Sequence, residues 1–156
     1  MVQRASSERR AFSFERKVVR AVIRYLSVAL TSGFLFGALD ALINANPFAQ
    51  SLYKVYQPIA RASVNAPAGM AIDLVYGFIM AGIFIRFYRA LPGHAGWAKG
   101  ISFALLVWYF RVAMCVASSW VMFTVPATAL IYTLLTGLGE MLVLGVLYGL
   151  TLRPSE

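Results

Sequence analysis

Long apolar runs separated by short polar interruptions dominate the chain, and their length is the first quantity that decides anything. A helix crossing a bilayer core needs about 20 consecutive apolar residues. Four runs reach that length: Tyr25 to Ala45, Ala68 to Tyr88, Ile101 to Phe123 and Pro126 to Leu150. They predict an all-α integral membrane protein, a four-transmembrane-helix bundle with spans at 25–45, 68–88, 101–123 and 126–150. Pro126 suits the first helical turn after a very short connection, so spans three and four form a tight hairpin.

The polar interruptions carry pattern of their own. Between Phe12 and Arg24, the apolar Phe12, Val18, Val19 and Val22 alternate with basic residues, which predicts an interfacial amphipathic helix within a basic tail over 1–24. After Asn46-Pro47, a capping residue followed by a first-turn proline, Phe48, Leu52, Val55, Tyr56 and Ile59 fall at helical spacing. A short helix over about 47–57 is expected on the outer membrane surface, ended by Pro58 and followed by an irregular return to span two. Leu91 to Gly100 (LPGHAGWAKG) combines Pro, Gly and Trp97 and reads as a turn with an interfacial anchor. Residues 151–156 form a cytoplasmic tail.

Composition excludes a soluble fold. The chain is 60% hydrophobic and 13% charged, against about 25% charge in an ordinary globular domain, and 156 residues offer too small an interior to hide the excess. The formal charge of +8 then speaks of topology and anionic lipid headgroups at the N-terminus rather than nucleic acid. Arg4, Arg9, Arg10, Arg16, Lys17, Arg20, Arg24, Arg86, Arg89, Lys99 and Arg153 flank the spans on one side, Lys54 and Arg61 on the other. Both termini are therefore expected in the cytoplasm, with the first span an uncleaved signal anchor. The pattern resembles small four-span bacterial inner-membrane proteins, without a motif that singles out a family.

Cofactor and metal chemistry have no foothold. A single Cys115 and a single His94 cannot supply a multi-Cys or His-rich metal site, and no phosphate loop, dinucleotide fingerprint or HExxH is present. No cofactor, no metal and no catalytic residue are expected, and the chain reads as non-enzymatic. An intramembrane aspartyl dyad of Asp40 and Asp73 is the one enzymatic arrangement the residues allow.

The informative residues are Asp40, Asp73, Arg111 and Glu140, each inside a predicted span where an ionisable group costs about 2.5 to 3.5 kcal/mol or more. Arg111 lies near the centre of span three and Glu140 about 3 Å inward of the centre of span four, so the two should pair. Asp40 and Asp73 both sit roughly 7 Å outward of the midplane, on stripes that also carry Asn44, Gly33 and Gly37 in span one and Gly77 and Ala81 in span two. Gly33-x-x-x-Gly37 and Gly77-x-x-x-Ala81 allow close backbone approach, which predicts that these spans pack with their carboxylates inward. Two adjacent carboxylates cannot both stay ionised cheaply, and Arg111 is the candidate cation between them. Span three presents Ala104, Trp108, Arg111, Cys115 and Ser118 on one face, and span four Thr133, Thr136, Gly137, Glu140 and Leu147. Gly145-x-x-x-Gly149 falls on a different stripe, a small-residue surface left for another helix, either of this chain or of a neighbour, which favours a homo-oligomer or a membrane-protein partner.

Two functions follow, the first as the main reading and the second as its alternative. In the first, the buried charges hold the bundle and the glycine stripes serve assembly, making a structural or accessory component. In the second, the same charges line a path for protons, cations or a small solute, in an oligomeric transporter or channel.

Overall fold

The computed structural model describes residues 2–61, 63 and 65–153, with side chains from Glu15 onward. The described residues form helices and connections, without a strand among them. Four helical stretches are long and apolar enough to cross a membrane: Glu15–Ala45, Ala66–Phe87, Gly96–Met122 and Ala127–Thr151. The chain is a multi-pass membrane protein.

Helix α1 runs unbroken over Val2–Ala45. No glycine or proline precedes Gly33, so nothing in the sequence stops a helix from propagating through the basic segment. The expected interfacial helix at 12–24 is therefore not an element of its own; it is the N-terminal continuation of the first span. At 1.5 Å per residue this 44-residue helix is about 66 Å long, roughly twice a bilayer core. Met1 and the last three residues of the C-terminal tail lie outside the described residues, as does the side chain of Phe12.

Asn46 ends α1 and starts α2 (Pro47–Leu52) with one side chain. Its Nδ2 donates to the carbonyl of Ile43 at 2.6 Å, and its Oδ1 accepts from the Ala49 amide at 2.8 Å. The same Nδ2 reaches the Tyr132 hydroxyl at 2.9 Å, which itself donates to the Ile43 carbonyl. A 3₁₀ helix follows over Tyr53–Ile59. Pro58 lies inside it rather than ending the helix. With no N–H, Pro58 cannot extend an α ladder, and the chain tightens into 3₁₀ turns instead of breaking.

Helix α3 (Ala66–Phe87) opens on Asn65, whose Oδ1 accepts from the Ala68 amide at 3.1 Å. Its exit turn needs Gly93 in the left-handed region, at φ 116°, and is tied back by Lys99, which donates to the Tyr88 carbonyl at 2.8 Å. Helix α4 covers Gly96–Trp108, and a π turn over Tyr109–Ala113 joins it to α5 (Met114–Met122). Span three thus begins at Gly96, not Ile101, and Gly96 and Gly100 are helical rather than part of the expected turn. Helix α6 (Ala127–Thr151) returns after a short connection.

The reason for helical glycines at 96 and 100 is α6. A Cβ on Gly96 or Gly100 would run into the carbonyl oxygens of Gly149 and Gly145, and a Cβ on either of those would strike the carbonyls of Gly96 and Gly100. Two G-x-x-x-G stretches cross face to face, with backbone against backbone. Of the two partners open to the Gly145 and Gly149 stripe, another helix of this chain or a neighbour, the chain's own hairpin is the one that covers it. The α1–α3 hairpin has the same construction, since a Cβ on Gly77 would lie 2.6 Å from the Ala29 carbonyl and 2.8 Å from the Gly33 Cα. Gly37 and the fully buried Ala81 continue this seam.

Aromatic packing then joins the hairpins. Phe84 of α3 meets Phe103 of α4 at 5.2 Å and Tyr148 of α6 at 5.8 Å between centroids. All three are among the most buried side chains. Arg24 of α1 donates to the Arg153 carbonyl at 2.7 Å, closing the basic end. Large apolar side chains such as Phe34, Leu42, Ile72, Phe110 and Leu135 remain on the outside, as a lipid-facing surface requires.

Gly100→Val should destabilise the protein by about 3 kcal/mol, at the upper end of overpacking costs, because backbone cannot yield as a side chain does. Gly139→Ala, where an added Cβ meets nothing within 4 Å, should stay within about 1 kcal/mol of the parent. Thermal unfolding in detergent, read alongside size-exclusion profiles, checks both; equal behaviour of the two variants would refute the crossing.

Candidate functional site: a charged cavity among the spans

A cavity of about 390 Å³ lies among α1, the 3₁₀ helix, the π turn, α5 and α6. Its position follows from the glycine crossing. α4 and α6 pack densely, while α5 and α6 touch little, so the two strands of the hairpin part beyond Gly137. Asp40, Ile43 and Asn44 line it from α1, and Tyr53 and Tyr56 from the 3₁₀ helix. Arg111, Val112, Cys115, Val116 and Ser119 come from span three, and Leu130, Thr133, Thr136, Gly137 and Glu140 from α6.

Arg111 is the hub. Its Nη1 lies 3.6 Å from Glu140 Oε2, and its guanidinium carbon stands 4.5 Å from the ring centres of both Phe36 and Tyr76. Those rings stack on one another at 4.8 Å and 29°. The guanidinium therefore caps a stacked pair, with contacts each worth about 0.5 to 2 kcal/mol. One side chain reaches α1, α3 and α6 at once. It projects from the π turn, a geometry that recurs at functional positions. The wider turn also delays the helix register by one residue, so Ser119, not the expected Ser118, lines the cavity.

Glu140 is 7% exposed. Its Oε2 is ion-paired with Arg111, while Oε1 is wholly buried and has no hydrogen-bond partner among the described residues. Asp40 accepts from Asn44 Nδ2 at 2.9 Å, and the same amide nitrogen lies 2.9 Å from the Asp40 carbonyl. Thr136 donates to the Tyr132 carbonyl at 2.8 Å and Thr133 to that of Ala129 at 3.0 Å.

Asp73 does not line the cavity. Its carboxylate occupies the space that Gly37 leaves open, where a Cβ would lie 2.9 Å from Asp73 Oδ2. Asp40, Asp73, Arg111 and Glu140 remain close enough for their charges to act on one another. Arg111 does not sit between the aspartates, however; the ring pair and Glu140 hold it. Among the described residues no three His, Cys, Asp or Glu side chains come together as a metal site. His94 is exposed in its turn and Cys115 is an exposed free thiol.

No protein family, curated protein or solved structure matches this chain. The site is accordingly read from its own chemistry.

Tyr53, Tyr56, Tyr76 and Ser119 are the site residues that spacing alone does not reveal. The first two arrive because the segment between α1 and α3 folds back onto Tyr132 of α6, where Phe48 and Tyr53 stand at 5.6 and 6.2 Å from its ring. Tyr76 faces the site only because α3 docks against Phe36, and Ser119 only because of the π turn.

Arg111→Ala should cost about 1 to 2 kcal/mol, because it leaves the buried Glu140 without its counter-charge and removes two ring contacts, while Arg111 itself is partly exposed. The double exchange Arg111→Glu with Glu140→Arg should recover part of that loss. Thermal unfolding in lipid nanodiscs gives the comparison. Unchanged stability in Arg111→Ala would show that the pair holds nothing.

Proposed function

We propose that this chain binds a polar solute in the cavity and passes it across the membrane, as a transporter or channel for protons, cations or a small solute. The observation that carries this reading is the convergence of Asp40, Arg111 and Glu140, from three different spans, on the wall of one opening of about 390 Å³. Ionisable side chains inside a membrane that line a polar space favour a path for something arriving from outside.

The alternative, a structural or accessory component, rests on the buried charges as glue between helices, for which the Arg111–Glu140 pair speaks, and on the glycine stripes as assembly surfaces. The Gly145–Gly149 stripe is buried in the chain's own hairpin, which leaves the apolar exterior as the support for assembly with a second copy or a partner. The cavity is built by one chain, and solute binding does not depend on an oligomer.

The basic residues support placement in a bacterial inner membrane with both termini cytoplasmic. Arg24, Arg86, Arg89, Lys99 and Arg153 gather at the end where α1 meets the end of α6. The basic part of α1 would then meet anionic headgroups, and the cavity would lie toward the outer leaflet beneath Tyr53 and Tyr56.

Reconstitution into vesicles holding a pH-sensitive dye, with imposed proton, sodium and potassium gradients and an isotope-labelled amine, tests this function. Protein-dependent flux should fall at least tenfold in Asp40→Asn and in Glu140→Gln at equal amounts of folded protein. Flux indifferent to both substitutions, or no solute movement together with no solute binding, would defeat it.

A further inference from the structure

We infer that the protein carries a specific site for an anionic glycerophospholipid in an open groove where α1 lies against α3 at the basic end, with an acyl chain along the groove and the phosphate on Arg86. The groove measures about 400 Å³ and shares no residue with the polar cavity. Tyr25 of α1 forms one wall, and the other is a stripe of α3 that runs from Phe78 past Ile79, Gly82 and Ile83 to Arg86. Its origin is local. Tyr25 leans across α3, donating to the Phe78 carbonyl at 2.9 Å and meeting the Phe78 ring edge-on at 6.2 Å. One turn further along, Gly82 has no side chain to fill the space beside it, and an added Cβ would meet only the Tyr25 hydroxyl, at 3.5 Å. Phe78, Gly82 and Arg86 recur every four residues and so share one face. From Phe78 to Arg86 that face is about 12 Å long, close to the depth of one leaflet in a core of about 30 Å.

Charge at the mouth of the groove names the occupant. Arg86 stands in the last turn of α3 with its side chain exposed, at the level where a span of this length reaches the headgroups. Its basic neighbours are answered by the protein: Arg24 donates to the Arg153 carbonyl, Arg153 to that of Gly149 and Lys99 to that of Tyr88. Arg86 has no hydrogen bond or ion pair among the described residues. No described carboxylate is near it along the helices, since Asp73 lies about 20 Å back along α3 and Glu15 about 15 Å beyond Tyr25 on α1. A phosphodiester supplies the missing counter-charge in a form that a guanidinium meets with paired N–H donors, and basic pockets beside transmembrane helices suit such headgroups. A phospholipid carries an apolar chain and a phosphate on one molecule, so it satisfies both ends of the groove. An apolar helix from another protein would cover Ile79 and Ile83, both exposed, and leave Arg86 bare. A zwitterionic lipid would bring its own cation to the guanidinium.

The test uses the full-length protein in mild detergent, titrated with phosphatidylglycerol or phosphatidylcholine of identical acyl chains, and counts retained lipid by native mass spectrometry. Phosphatidylglycerol should be retained at one molecule per chain, and phosphatidylcholine should bind at least tenfold more weakly. Arg86→Gln should lower phosphatidylglycerol affinity at least fivefold and bring it near that of phosphatidylcholine. Gly82→Leu, which fills the groove and leaves the charge in place, should lower it at least tenfold. If Gly82→Leu does not fold, Ile79→Trp at an exposed position fills the groove in its stead. Lys54→Gln, which removes a cation outside the groove, should change nothing. Equal retention of the two lipids, or of neither, would overturn the inference, as would phosphatidylglycerol binding untouched by Arg86→Gln and by the groove-filling variant. A loss in Lys54→Gln as large as in Arg86→Gln would reveal only diffuse attraction to a basic protein and would overturn it as well.

Discussion

Backbone-to-backbone contact between α4 and α6 is the constraint on which the rest of the structure depends. Gly96, Gly100, Gly145 and Gly149 let the two helices approach until only hydrogens separate their main chains, and in lipid such close packing replaces the hydrophobic drive that holds soluble helices together. Two helices pressed together at one end and crossing at an angle must separate toward the other. The separation appears as sparse contact between α5 and α6 and as the cavity that starts near Gly137. The α1–α3 hairpin repeats the arrangement through Gly33 and Gly77. The glycine seams and the polar cavity are thus two consequences of one geometry, tight at the basic end and open at the other.

Arg111 decides what the open end contains. A guanidinium among apolar helices needs both charge compensation and contact for its flat faces, and the fold supplies the first from α6 and the second from α1 and α3. Because three helices converge on one side chain, the charge acts as a joint as well as a wall of the cavity. It pairs with Glu140 Oε2 and leaves Oε1, itself buried, without a partner among the described residues. The outer segment completes the enclosure. Asn46 caps two helices and bonds Tyr132, which seats α2 on α6 and sets Tyr53 and Tyr56 at the cavity.

Much of this was legible in the order of residues. Four apolar runs of bilayer length, the Asn46-Pro47 start of the outer helix, and the placement of Arg111 and Glu140 at one depth all follow from length, capping chemistry and the rise of a helix. The Gly33 and Gly77 stripes likewise announce close approach. These features are local, or depend on one coordinate only, the position along the membrane normal. The glycines at 96 and 100 are ambiguous by the same local rules, since Gly near Pro, His and Trp reads as a turn until a second glycine helix is laid against it.

What only the tertiary structure decided is which partner each surface found. Helical periodicity states that Gly145 and Gly149 share a face, but not whether that face meets α4 or another molecule. Depth along the membrane normal pairs Arg111 with Glu140, as found, but it does not reveal the stacked Phe36 and Tyr76 rings that receive the guanidinium faces. A π turn has no sequence signature of its own, so the one-residue delay that brings Ser119 into the cavity could not be read beforehand. The order of residues sets the number of spans and the depth of their charges, because lipid imposes an apolar run of one length on any crossing helix. Their mutual rotation was decided by tertiary contact, because in lipid it depends on close packing between specific side chains distant in sequence.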